Sequence, residues 1–114
     1  MEDLDFTRRP TKSALYDPKV ARICFESLGK VERVAQGEIF FTENQNSDRM
    51  YLLEEGEVAL TRGSKAIDVV KAGEIFGEMA AISQLPRSAT ATARTACRVV
   101  SLDAEQFQRA IQKL

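Results

Sequence analysis

The chain opens without periodicity and then acquires two kinds of it. Residues 1–16 are polar, carry Pro10 and show no period, which predicts a flexible N-terminal tail. From there Val20, Ile23, Cys24 and Leu28 recur at the spacing of one helical face. Asp17 suits an N-cap, Pro18 suits the first helical position because its missing N–H needs no partner, and Gly29 is a natural stop. Cys24 therefore reads as a small core residue rather than a reactive thiol.

Beyond Lys30 the pattern shortens to strands, expected at 31–35, 39–42, 49–53, 58–61, 66–70, 89–93 and 98–102. Glu54-Glu55-Gly56-Glu57 reads as a hairpin turn between the third and fourth, and Arg62-Gly63-Ser64 as a second turn. Lys71-Ala72-Gly73-Glu74 closes the fifth. Strands at this spacing, punctuated by glycine-containing turns, predict a mainly β antiparallel sandwich or barrel. Two helical stretches break the pattern. One covers about two turns at 78–83. The other begins at Asp103 and Gln106, which have the spacing of a capping box, and carries Phe107, Ala110, Ile111 and Leu114 on one stripe.

Length and composition narrow the chemistry. At 114 residues there is room for one domain and one core. Sixteen basic against seventeen acidic residues leave a net charge of -1, which argues against nucleic acid as a partner. The chain has no histidine, which excludes histidine acid–base catalysis, histidine-dependent nucleophiles and histidine metal sites. Its two cysteines, Cys24 and Cys97, form no CxxC, so neither a metal site nor a disulfide framework is expected. No apolar run approaches the roughly 20 residues of a membrane span, and no signal peptide is legible. The expectation is a cytoplasmic protein that is not an enzyme, with no cofactor and no membrane contact. Arg8-Arg9-Pro10-Thr11 has the look of a site for a kinase that prefers basic residues; a solvated tail is the simpler reading.

One segment carries recognisable binding chemistry: Gly73-Glu74-Ile75-Phe76-Gly77-Glu78-Met79-Ala80, followed shortly by Pro86-Arg87-Ser88-Ala89-Thr90. Gly77 permits a sharp turn or a close backbone approach. The N–H groups after it, through Ala80, lack intrahelical partners and favour an anion. Arg87 supplies a planar fork of donors suited to a phosphate, and Ser88 adds a neutral donor. Glu78 would repel a phosphate but would accept hydrogen bonds from a hydroxyl pair such as a ribose carries. One arginine and one helix start match a singly charged phosphodiester better than a triphosphate, and no GxxxxGK[ST] loop is present. The plainer alternative is that Glu78 and Arg87 form an ordinary ion pair, that Gly77 is only a turn, and that Phe76 and Met79 are core residues.

Phe76-Gly77-Glu78-Met79-Ala80 with Pro86-Arg87-Ser88-Ala89-Thr90 resembles the phosphate-binding cassette of cyclic nucleotide-binding domains, the type found in the bacterial catabolite activator and in the regulatory subunit of protein kinase A. Gly37-Glu38-Ile39-Phe40, Tyr51-Leu52-Leu53 with Gly56-Glu57-Val58, and Thr95-Ala96-Cys97-Arg98-Val99 with Phe107 resemble the family's flanking segments, so the likeness spans 17–114. It implies a double-stranded β-helix, or jelly roll, with short flanking α-helices. It implies a cyclic nucleotide as ligand, cAMP ahead of cGMP. Gly77 and Ala80 would offer N–H groups to the cyclic phosphate, Arg87 would neutralise it with Ser88 assisting, and Glu78 would accept the ribose 2′-OH. Met79 would relay occupancy to the C-terminal helices, and Phe76 and Ala89 would line the pocket. The family's closing lid helix is missing or truncated, and the C-terminal helix is the candidate surface for a homodimer or an effector domain. The alternatives are a jelly-roll interaction domain that does not respond to nucleotide, or the sensor fragment of a transcription regulator.

Overall fold

The computed structural model describes residues 17–113. The tail expected over 1–16, its Arg8-Arg9-Pro10-Thr11 motif and Leu114 lie outside the described residues. In chain order the elements are α1 (Pro18–Leu28), β1 (Lys30–Val34), β2 (Ile39–Phe41), β3 (Arg49–Glu55), β4 (Val58–Arg62), β5 (Lys65–Val70), β6 (Ile75–Phe76), α2 (Glu78–Ser83), β7 (Thr90–Ala93), β8 (Cys97–Asp103) and α3 (Ala104–Gln112).

The strands form two antiparallel four-stranded sheets, ordered β1-β8-β3-β6 and β2-β7-β4-β5, an antiparallel sandwich as the strand pattern predicted and the jelly roll that the resemblance implied. Two clusters of buried side chains result. Tyr51, Leu53, Val58, Phe76, Ala91 and Val99 fill the space between the sheets. Met50, Leu52, Val100 and Leu102 face the helices, against Ala21, Phe25, Ala81 and Phe107. Strands β3 and β8 thus bury both faces, which is why Met50–Leu53 and Val99–Leu102 read as near-continuous buried runs instead of alternating.

The 54–57 turn departs from expectation. β3 and β4 are not hairpin partners: β3 pairs with β8 and β6, and β4 with β5 and β7. The chain passes from one sheet to the other there. Gly56, at φ 99°, makes that corner; a Cβ on it would lie 2.4 Å from the Ala96 carbonyl and 2.8 Å from Cys97 Sγ. The glycine signal was a turn signal, but sheet assignment is a tertiary matter. The second turn is a true hairpin, closing β4 on β5 with Arg62 opposite Lys65.

Both flanking helices are capped as their sequences require. The Asp17 carboxylate accepts from the Lys19 N–H at 2.9 Å, and the Gly29 N–H closes on the Phe25 carbonyl at 2.9 Å. The Asp103 carboxylate accepts from the Gln106 N–H at 2.8 Å. The face that α1 buries matches the expected one only in part: Cys24 is buried and Val20 packs against the core, but Ile23 and Leu28 do not. Ala21, Cys24 and Phe25 are buried, while Ile23 and Leu28 are 59% and 47% exposed. Phe25 and Ala21 are fully covered, and turning that stripe inward carries Ile23 to the opposite side of the helix. Phe25 and Phe107 are anchors of the cluster where α1 and α3 pack on β8, each worth about 1.5–3 kcal/mol of burial.

Candidate ligand-binding site

The strand pattern missed β6, and β6 positions the site. Its two residues pair with β3, Phe76 opposite Tyr51 and Ile75 opposite Leu52, so the segment that follows is tied to the sheet. The Phe76 ring stacks on Tyr51 at 5.1 Å between centroids and meets Phe40 edge-on at 5.2 Å. Gly77 then turns the chain at φ 77° and becomes the N-cap of α2, the helix expected at 78–83. A Cβ here would stand 3.0 Å from Arg87 Nη1 and 3.1 Å from Phe41 Cε2, so the backbone can sit this close only as glycine. At the other end Gln84 adopts a left-handed conformation, φ 58°, and donates its N–H to Ala80. Pro86 follows, in a place where no helix could continue through it.

That sharp exit delivers Arg87 back to Gly77. The Arg87 backbone is clamped to the 43–48 loop: its N–H donates to the Gln45 carbonyl at 2.9 Å and its carbonyl accepts from Asn44 at 2.8 Å. Its side chain is 2% exposed. Nη1 donates to the Gly77 carbonyl and Nη2 to the Arg49 carbonyl, each at 2.6 Å, and the guanidinium lies over the Phe41 ring, 4.1 Å from its centroid. Nε is buried and has no hydrogen-bond partner. Burial pushes the guanidinium's pKa down, opposed by attraction from Tyr51, Asp48 and Glu78. A buried cation held mainly by carbonyl dipoles is an arrangement that an anion would complete.

The Arg49 carbonyl is itself fixed from behind. The Arg49 side chain reaches Glu32 on β1 at 3.3 Å and bonds the buried Ser101 hydroxyl on β8, and Ser101 donates to Glu32 at 2.6 Å. Three strands therefore hold the acceptor that orients Arg87.

A cavity of about 1070 Å³ opens in front of this arrangement. All eight sequence-derived candidates line it: Phe76, Gly77, Glu78, Met79, Ala80, Arg87, Ser88 and Ala89. Glu78 and Ala89 are buried, Met79 and Ala80 half-buried and Ser88 exposed. Other wall residues were not among the candidates. Phe41, Leu60, Val70 and Ile75 supply an apolar surface, Asp68 a carboxylate, and α1 brings Lys19 and Arg22 to the same cavity. Nothing local in those segments signals a ligand; only the closure of the roll brings them there. Among the described residues no cluster of metal-binding side chains occurs, and no helix is long and apolar enough to cross a membrane.

Residues 31–114 match the family model described as the cyclic nucleotide-binding domain. The chain belongs to that family. It is 38% identical over 78 residues to a cAMP-dependent protein kinase regulatory subunit of Yarrowia lipolytica, covering 67% of this chain and 21% of that one. Among solved structures, the catabolite activator protein of Thermus thermophilus superposes with a TM-score of 0.74 at 25% identity, covering 85% of this chain and 47% of that one. The regulatory domain of Toxoplasma gondii PKA in complex with cAMP gives a TM-score of 0.72 at 27% identity, covering 80% and 37%. The chain spans only about a fifth of the length of the cAMP-dependent protein kinase regulatory subunits it matches, 17–21%.

Proposed function

We propose that this domain, residues 17–114, binds a cyclic nucleotide as a sensory and regulatory module, with cAMP preferred over cGMP, and that it acts by binding rather than by catalysis. The observation that carries the reading is the buried Arg87, with an unpartnered Nε, lining a cavity together with Phe76–Ala80, Ser88 and Ala89 of the cassette. The cyclic phosphate would sit against the N–H groups of Gly77 and Ala80, with Arg87 neutralising its charge and Ser88 adding a hydroxyl. Glu78 would take the ribose 2′-OH. The apolar Phe76 and Ala89 would shape the pocket, and Met79, on the helix that packs toward α3, would relay occupancy. A singly charged ligand suits Arg87, the one buried cation among the described residues. The relatives named above, a kinase regulatory subunit and a cAMP-bound regulatory domain, support a regulatory role and the adenine base. The cytoplasm is the compartment in which such a ligand would be met, and α3 is the surface through which an effector or a second copy would respond.

The test is thermal melting of nucleotide-stripped protein with and without cAMP and cGMP, followed by titration calorimetry with cAMP, cGMP and AMP. A ligand that binds the native state alone at 100 times its Kd adds about 2.7 kcal/mol. A rise of several degrees with a cyclic nucleotide but not with AMP is expected. An unchanged melt with both cyclic nucleotides would leave the jelly roll as an interaction domain that does not respond to nucleotide.

A further inference from the structure

The cassette accounts for one wall of the cavity. The lining also includes the first turns of α1, where Lys19 and Arg22, one turn apart on the helix, both border the space. Among the described residues these are, apart from Arg87, the cations that line it. Arg22 is held there: its Nη2 donates to the Gly73 carbonyl at 2.8 Å, in the turn that leads into β6 and the cassette. That bond bridges 51 residues of sequence and sets one edge of the guanidinium against the rim of the cavity.

On the cyclic-nucleotide reading, from which this inference starts, the cassette uses the phosphate and the ribose and leaves the purine. The lining outside the cassette includes the apolar side chains of Leu60 and Val70 and the carboxylate of Asp68 from the second sheet, and the α1 side chains. We propose that Arg22 is a further ligand-binding residue, whose guanidinium covers one face of the purine. A guanidinium is planar, delocalised and weakly hydrated, and it stacks on aromatic faces where an ammonium does not. Its hydrogen bond to Gly73 orients the group before the ligand arrives, so less freedom is lost on binding. Lys19 brings charge to the same wall but no plane. Stacking reads the π-face that every base has, so Arg22 adds affinity with little preference between adenine and guanine.

The test compares Arg22→Ala and Arg22→Lys with the unsubstituted 114-residue chain by calorimetry, using cAMP and ribose 3′,5′-cyclic phosphate, which lacks the base. Arg22→Ala is expected to weaken cAMP binding about tenfold and to leave the base-free ligand within about twofold. Arg22→Lys is expected to behave like Arg22→Ala. Equal losses for cAMP and the base-free ligand would mean that Arg22 acts only by holding α1 or by long-range charge, and would overturn the proposal. So would an Arg22→Lys variant that binds cAMP as tightly as the unsubstituted chain. Absence of cyclic-nucleotide binding by the unsubstituted chain would end the parent reading and this one together, whereas unsubstituted binding with an unaffected Arg22→Ala variant would end this one alone.

Discussion

Arg87 Nη1 donates to the Gly77 carbonyl across 2.6 Å, ten residues back along the chain. The cation proposed for the phosphate and the glycine that opens α2 are therefore one unit, and a disturbance of either is felt at the other.

Replacing Arg87 by Ala removes the buried charge, takes the guanidinium donor from the Arg49 carbonyl and leaves the Gly77 carbonyl only the long 3.4 Å bond from the Ala81 N–H. Cyclic nucleotide binding is expected to weaken by about 1.5–3 kcal/mol, roughly 10- to 150-fold. Arg87→Lys should recover little, because one ammonium cannot span both carbonyls and present a further donor. Calorimetric affinities of the two variants decide it; an unchanged Kd in Arg87→Ala would remove Arg87 from the phosphate site.

Gly77→Ala tests the other half of the unit. The left-handed conformation at φ 77° costs a Cβ-bearing residue about 1–2 kcal/mol. The added methyl would also press on Arg87 Nη1 at 3.0 Å and on the Phe41 ring at 3.1 Å. Urea denaturation should show a loss of about 1–3 kcal/mol, accompanied by weaker nucleotide binding. A variant with unaltered stability and affinity would mean that this backbone geometry is not required.

Glu78→Gln keeps an acceptor but loses the charge that strengthens its hydrogen bonds, so it should weaken binding less than Arg87→Ala. The specific readout is a double-mutant cycle with the 2′-deoxy cyclic nucleotide as the second change. If Glu78 holds the ribose hydroxyl, the deoxy ligand loses little further affinity on the variant. Strict additivity of the two losses would count against the contact.

Base preference should be modest in the 114-residue chain. Ser88 can assist the phosphate of either nucleotide, and the Leu60 and Val70 side chains that line the cavity are apolar and offer no hydrogen bond to either base. Discrimination between cAMP and cGMP is expected within about tenfold, or 1.4 kcal/mol, with cAMP ahead. Competition titrations measure it, and a hundredfold preference would show that some lining group, such as the carboxylates of Asp68 or Glu74, reads the base edge.

Much of this was legible along the chain because it depends on near neighbours. The caps at Asp17 and Asp103, the turn at Gly63-Ser64 and the extent of α2 are consequences of residues within one turn of each other. The cassette is legible for a related reason: Gly77 through Ala80 and Arg87 through Ala89 are two short runs, and Pro86 with the left-handed Gln84 turns one back on the other. The errors lie where distance in sequence is bridged. Ile23 and Leu28 are apolar, yet the stripe that α1 buries is chosen by Phe25 and by what α3 and β8 offer it. Ile75–Phe76 is too short to show a period, and only its pairing with Tyr51 and Leu52 makes it a strand.

By itself, then, the amino-acid order determined the β-rich composition of the fold and its helix ends, since these follow from backbone preference and local spacing; the cassette stood out through the resemblance of its two short runs to the family's. Tertiary structure alone decided three things. It sent β3 and β4 to different sheets at Gly56, because strand partnership is a competition among surfaces that no turn of four residues settles. It fixed Arg87 between the carbonyls of Gly77 and Arg49, the second held through Ser101 and Glu32 on two other strands. And it carried α1 across to the cavity, where the hydrogen bond from Arg22 to Gly73 joins residues 51 apart, a closeness that only closure of the roll can create.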